Sequence, residues 1–167
     1  MSQYIAERLE NNEIELLLAE SHISAAGKSF FPVENYWHLS DISGNMPAPL
    51  NKVEQILTLE KQPFFRLALA RYASINSAHS VYNICTYMSM FANDYPELTD
   101  LLDPIQFISL KGKRGKSREY QLSTLRGFIR FWYHSGLWGV SDDWIKATND
   151  LNFAGNEKGR AVKERDP

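Results

Sequence analysis

The chain has 167 residues, a net charge of −2, and 44% apolar and 13% aromatic side chains. That supplies one ordinary domain with a sizeable core and excludes a disordered chain. A single cysteine, Cys85, excludes an intramolecular disulfide and a cysteine-rich zinc site, and no apolar run approaches the roughly 20 residues of a membrane span.

The N-terminus (SQYIAERLENNE) is polar and acidic and carries no secretory signal, so a soluble protein of a reducing cytoplasm is expected. Residues 1–26 read as a helix, with Ile5, Leu9, Ile14, Leu16, Leu17 and Leu18 apolar and Gly27 as its stop. Residues 27–52 change character. Pro32, Pro47 and Pro49, a Gly-Asn pair and several Ser predict an irregular segment, anchored by Phe30, Phe31, Tyr36 and Trp37. This segment marks the expected boundary between an N-terminal appendage, residues 1–58, and a main helical domain, residues 59–153.

From residue 51 onward helical patterns dominate. A short helix is expected over 52–59. The next covers 62–73, with Pro63 in a first turn where its missing N–H costs little. Ser77 or Asn76 can cap a helix reaching residue 93, whose apolar stripe is Val81, Ile84, Cys85, Met88, Phe91 and Ala92. Asp94-Tyr95-Pro96 ends it. Residues 99–110 form a short helix in which Pro104 fits the first turn if Asp103 is the cap, with 99–102 as a lead-in turn. A helix over 117–134 places Leu122, Leu125, Phe128, Ile129, Trp132 and Tyr133 on one face. Gly136 stops it. Ser141 caps a last helix ending near residue 152, with Asp142 and Asp143 favoured in its first turn by the helix dipole. Residues 154–167 lack apolar periodicity and read as a linker. The fold class is therefore all-α: a four- to five-helix bundle with an irregular N-terminal extension.

The chemistry concentrates in residues 111–130, KGKRGKSREYQLSTLRGFIR. Seven cations (Lys111, Lys113, Arg114, Lys116, Arg118, Arg126 and Arg130) face one acid, Glu119, so this stretch carries about +6 in a chain whose remainder sums to about −8. Such asymmetry points to a local polyanion-binding surface. Two glycines let the loop approach another backbone closely. Lys111, Lys113, Arg114, Lys116 and Arg118 are candidate phosphate contacts. A plain solvated turn would look similar. Arg126 and Arg130 lie one turn apart and could face phosphates or a groove, or pair with a nearby acid. Ser77, His79 and Ser80 open another helix, whose N-terminal N–H groups suit phosphate as well as ordinary capping. Gln121 and Ser123 complete the candidate groove-facing set.

No catalytic constellation is visible. The four histidines (His22, His38, His79 and His134) have no metal spacing. Cys85 lies on an apolar stripe, and Trp132, Trp138 and Trp144 read as core. Walker, GxSxG and GxGxxG motifs are absent. No cofactor, metal or small-molecule substrate is expected.

Residues 60–152 nevertheless resemble a known family. SAHSVYNICTYMSMFANDYP, then LTDLLDPIQFISL, a basic turn, and SREYQLSTLRGFIRFWYHSGLW follow the pattern of the core-binding, SAM-like domain of tyrosine recombinases (phage integrases). Leu122, Ser123, Leu125, Arg126, Phe128, Trp132 and Gly136 fall in the family register. The Asn-Pro that commonly follows is replaced here by LWGVSD. The resemblance implies a domain that forms half of a C-shaped clamp on double-stranded DNA at a recombination site, beside other recombinase protomers in a synaptic complex. It implies a bacterial or phage origin and a role in DNA integration and recombination. It also implies that catalysis, through an Arg, a Lys, a His-x-x-Arg pair and a nucleophilic Tyr, belongs to a separate C-terminal domain expected beyond Pro167. No segment here matches those groups, so the chain itself is expected not to be an enzyme. The competing reading is a helical protein–protein module that meets an acidic partner through the basic loop.

Overall fold

The computed structural model describes residues 11–41, 47, 49–112 and 115–153, with residues 11, 115 and 116 described by backbone alone. In chain order the elements are α1 (Asn11–Ala19), strands β1 (His22–Ile23) and β2 (Ser29–Phe30), α2 (Leu50–Val53), tight turns Glu54–Ile56 and Leu59–Lys61, α3 (Gln62–Ile75), α4 (Ala78–Asp94), α5 (Pro104–Ser109), α6 (Gly115–His134) and α7 (Asp142–Asn149). The all-α expectation holds apart from one antiparallel hairpin of two residues per strand, with His22 opposite Phe30 and Ile23 opposite Ser29.

Short polar side chains set the helix starts as their positions predict. Ser77 Oγ accepts from the Ser80 N–H at 3.2 Å and opens α4. Asp103 Oδ1 accepts from the Ile105 N–H at 2.9 Å and opens α5 behind Pro104. Ser141 Oγ accepts from the Trp144 N–H at 3.0 Å and opens α7. Each satisfies a donor that a helix start leaves without an intrahelical partner. The helix expected from residue 117 begins two residues earlier, at Gly115.

The N-terminal expectation needs correction. The helix over 1–26 is α1 alone in its described part; residues 1–10 lie outside the described residues. After Ala19 the chain turns into the hairpin. Ser24 is buried, donating from Oγ to the Leu39 carbonyl at 2.7 Å and accepting from the Lys28 N–H at 3.0 Å. Gly27, at φ +87°, sits in the hairpin turn rather than at a helix end. The smeared pattern around Leu16 now has a reason: Ile14 and Leu18, one turn apart, are buried, while Leu16 is 69% exposed.

Of the four aromatics expected to anchor the irregular segment, Phe30 and Trp37 do so, their rings 4.9 Å apart and tilted by 38° inside the core. Phe31 and Tyr36 stay exposed. One cluster of buried side chains runs from Ile14 through Trp37, Leu50 and Phe65 to Trp144 and Phe153, so the described part of residues 1–58 shares its core with the bundle.

At the centre of that core lies the α6 stripe. Leu122, Leu125, Phe128, Ile129 and Trp132 are buried. Phe128 meets Phe65 and Tyr72 of α3 edge-on, at 5.9 and 5.5 Å. Tyr133, expected on the same stripe, is half-buried and donates its hydroxyl to Asp142 Oδ1 at 2.7 Å. Trp144 is fully buried, and its Nε1 donates to the Leu101 carbonyl at 3.2 Å, tying α7 to the turn before α5. Trp138 is only half-buried and packs edge-on against Phe64. Among the described residues no helix is long and apolar enough to cross a membrane.

Candidate nucleic-acid interface

Helices α4 and α6 run antiparallel. Arg118, in the first turn of α6, reaches Asp94 at the end of α4, while Phe131, near the end of α6, packs on Tyr72 of α3, just ahead of the α4 cap. The expected site residues therefore do not gather at one point. Ser77, His79 and Ser80 stand at one end of α4, and Lys111 and Arg118 at the other. At 1.5 Å per residue, the 17 residues of α4 separate these groups by about 25 Å.

Arg118 is the clearest correction. It was expected on phosphates, yet it is buried, and its guanidinium donates to Asp94 Oδ2 at 2.6 Å and to Gln121 Oε1 at 3.0 Å. It also lies over the Phe91 ring, 5.1 Å from its centre. These contacts clamp α6 to α4 and leave the cation committed to the protein's own carboxylate. Gln121, expected in a groove, has its oxygen occupied by that arginine. Glu119, the lone acid of the stretch, is buried as well.

Arg126 and Arg130 were expected to face phosphates or a groove, or to pair with an acid; among the described residues neither meets an acid, and both donate to uncharged oxygens at the end of α7. One terminal nitrogen of Arg126 donates to the Thr148 and Leu151 carbonyls at 2.9 and 2.7 Å, with the guanidinium 4.6 Å over the Phe153 ring. Arg130 donates to Asn149 through its carbonyl at 3.4 Å and its Oδ1 at 3.1 Å. Burial, and secondarily the neighbouring Arg130 charge, draw the Arg126 pKa below its ordinary value. Both remain cations without a carboxylate partner among the described residues.

Lys111 is exposed and Ser123 half-buried, while Lys113, Arg114 and the Lys116 side chain lie outside the described residues. Ser77 is exposed but occupied as the α4 cap, and its hydroxyl also meets Ser80 Oγ at 3.1 Å. His79 is exposed beside it.

The outer seam between α4 and α6 contains residues that sequence reasoning did not single out. Tyr120 is 52% exposed, and Tyr87 lies close enough to it for their hydroxyls to interact electrostatically. Burial pushes the Tyr87 hydroxyl pKa up, with Tyr120 a secondary cause. The signal was present in the sequence: from residue 76 to 93 there is no charged side chain, and from 120 to 134 the only ones are Arg126 and Arg130.

A second concavity, of about 270 Å³, lies away from this seam, lined by Leu18, Val33, Glu54, Leu59, Gln62, Pro63 and Arg66. Arg66 was also missed. It lies in an apolar helical run, QPFFRLALARYA, which was the available clue. Its guanidinium holds both Glu54 oxygens at 2.9 and 3.1 Å, the carbonyls of Pro32, Val33 and Glu34 at 3.0–3.1 Å, and Asn35 Oδ1 at 2.8 Å. With every nitrogen engaged, the pair fastens the 32–35 segment and is not poised for chemistry.

Cys85 is fully buried and its thiol pKa is pushed up to about 12 by desolvation, so it is a core residue rather than a nucleophile. Among the described residues no group of three or more His, Cys, Asp or Glu is placed to hold a metal. No protein-family model, curated protein or solved structure matches this chain.

Proposed function

We propose that this chain is a double-stranded DNA-binding domain, of the SAM-like core-binding kind that clamps a recombination site in tyrosine recombinases. One observation carries the reading. A chain with 20 acids and 18 Lys plus Arg keeps every acid but the buried Glu119 off residues 104–141 and leaves α4 uncharged up to residue 93, so the carboxylates of α4 and α6 are Asp94, already held by Arg118, and Glu119. DNA repels carboxylates and is held by cations, so a helical face whose carboxylates are buried or already neutralised, beside a cationic stretch, fits a phosphate backbone. In this reading Lys111, with Lys113, Arg114 and Lys116 of the same basic stretch of sequence, neutralises phosphates. Ser77, His79, Ser80 and Ser123 contribute uncharged hydrogen-bonding groups along the seam. Arg118 is excluded, because Asp94 already occupies it. Strand cleavage and rejoining would belong to a separate catalytic domain, acting among other protomers on the same DNA; no residue of this chain is assigned to it.

Fluorescence anisotropy of a labelled duplex across a salt series tests the proposal. Replacing Lys113, Arg114 and Lys116 together with Ala should weaken binding whatever the sequence and lower the log–log salt slope by about 2–3 units. An unchanged slope removes the turn from the interface.

A second reading, a protein–protein module, draws support from Val33 and Leu59, which rim the concavity at 56% and 82% exposure. Duplex affinity no greater than that of an unrelated protein of equal charge would favour it.

A further inference from the structure

Two guanidiniums converge on the last turn of α7. Arg126 is fixed there by one terminal nitrogen, bonded to the Thr148 and Leu151 carbonyls, and by the face of Phe153 beneath it. Arg130, one helical turn along, is fixed by one terminal nitrogen on Asn149. The remaining nitrogens of both, including each Nε, have no hydrogen-bond partner among the described residues. Asp150, next in the chain to the Arg130 acceptor, is exposed and ion-pairs with neither.

The electrostatics are unbalanced. The carbonyl end of α7 offers roughly half a negative charge against two full positive ones. Arg130 sits near enough to destabilise the charged form of Arg126. Carbonyl bonds orient these side chains without neutralising them. Most surface arginines lose rotamer freedom only on binding; these two have already lost it, so an incoming anion meets donors held in place. A planar guanidinium with free N–H groups matches two oxygens of one phosphate.

We propose that Arg126 and Arg130 form a preset phosphate site at the α6–α7 edge, held in position by the end of α7. The ligand class rests on the DNA-binding reading: a backbone phosphate of the duplex, contacted in the second half of α6, eight to twelve residues or about 12–18 Å past Arg118.

The test follows the Arg Nε–H resonances of the whole chain by NMR while a short duplex, or inorganic phosphate at the same phosphate concentration, is added. The duplex should shift both resonances more than free phosphate does. In parallel, Arg130→Gln should lower the salt slope of duplex binding by about 1, and Arg130→Lys, which keeps the charge, should restore it. Arg130 is half-buried and lies outside the buried core cluster, so neither variant disturbs the core. A wild-type slope in Arg130→Gln, with binding still dependent on Lys113, Arg114 and Lys116, overturns this site and leaves the DNA-binding reading standing. Shifts caused by free phosphate but not by the duplex overturn the backbone assignment. Absence of any duplex binding overturns both.

Discussion

Replacing Arg118 with Met separates a structural cation from a DNA-binding one. Arg118 is 9% exposed, donates to Asp94 at 2.6 Å and to Gln121 at 3.0 Å, and covers Phe91. Met preserves much of the stem's apolar contact and removes the charge. A hydrogen bond to a charged group contributes about 1.5–3 kcal/mol, and a partly desolvated cation–π contact about 1 kcal/mol. The Asp94 side chain is 31% exposed, so it can rehydrate when its partner is lost, which holds the cost below that of orphaning a fully buried charge. The sum is a loss of about 2–4 kcal/mol, or about 4–16 °C in Tm for a chain of this size. Urea unfolding followed by tryptophan fluorescence measures the loss, and duplex anisotropy on the folded variant measures the salt slope. The slope should match wild type, whereas Lys111→Ala should lower it by about 1. Wild-type stability together with a lowered slope would mean that Arg118 leaves Asp94 for a phosphate, and the clamp argument would fail.

Arg66→Met should cost about 3–5 kcal/mol at neutral pH, because it strands the buried Glu54 carboxylate. Burial already holds the Glu54 pKa above the usual carboxylate range, with the Arg66 hydrogen bond and charge opposing. A raised folded pKa means that this group's contribution is complete below the unfolded value of about 4.3 and is lost as pH rises through the folded one. Removing Arg66 takes away both opposing causes, so the loss should deepen with rising pH and largely vanish in acid; a pH-independent loss across urea titrations would refute this account. Gly139→Ala should cost about 2–5 kcal/mol, since φ is +141° and the new Cβ would lie 2.5 Å from Cζ2 of buried Trp132. A wild-type thermal melt for that variant would show that the turn after α6 does not rest on Trp132.

Local chemistry carried most of the helical layout. Ser77, Asp103 and Ser141 each cap the helix they precede, because a short side chain followed by free N–H groups needs no distant partner. The buried α6 stripe was likewise readable from its spacing. The hairpin at 22–30 was not. It is held by Ser24 on Leu39 and by Ala25 donating its N–H to the Ala73 carbonyl, contacts that span 15 and 48 residues. Nothing in the local run IELLLAESHIS marks where such partners will be.

The concentration of positive charge in residues 111–130, and the acid-free runs of α4 and α6, are properties of the sequence alone. Which of those cations remain open to a ligand was decided only by tertiary structure. A guanidinium reaches several ångströms from its own backbone, so its partner is whatever the fold brings alongside: Asp94 for Arg118, and the last carbonyls of α7 for Arg126 and Arg130. Charge is a property of the residue, but its availability depends on neighbours that only the folded chain assembles.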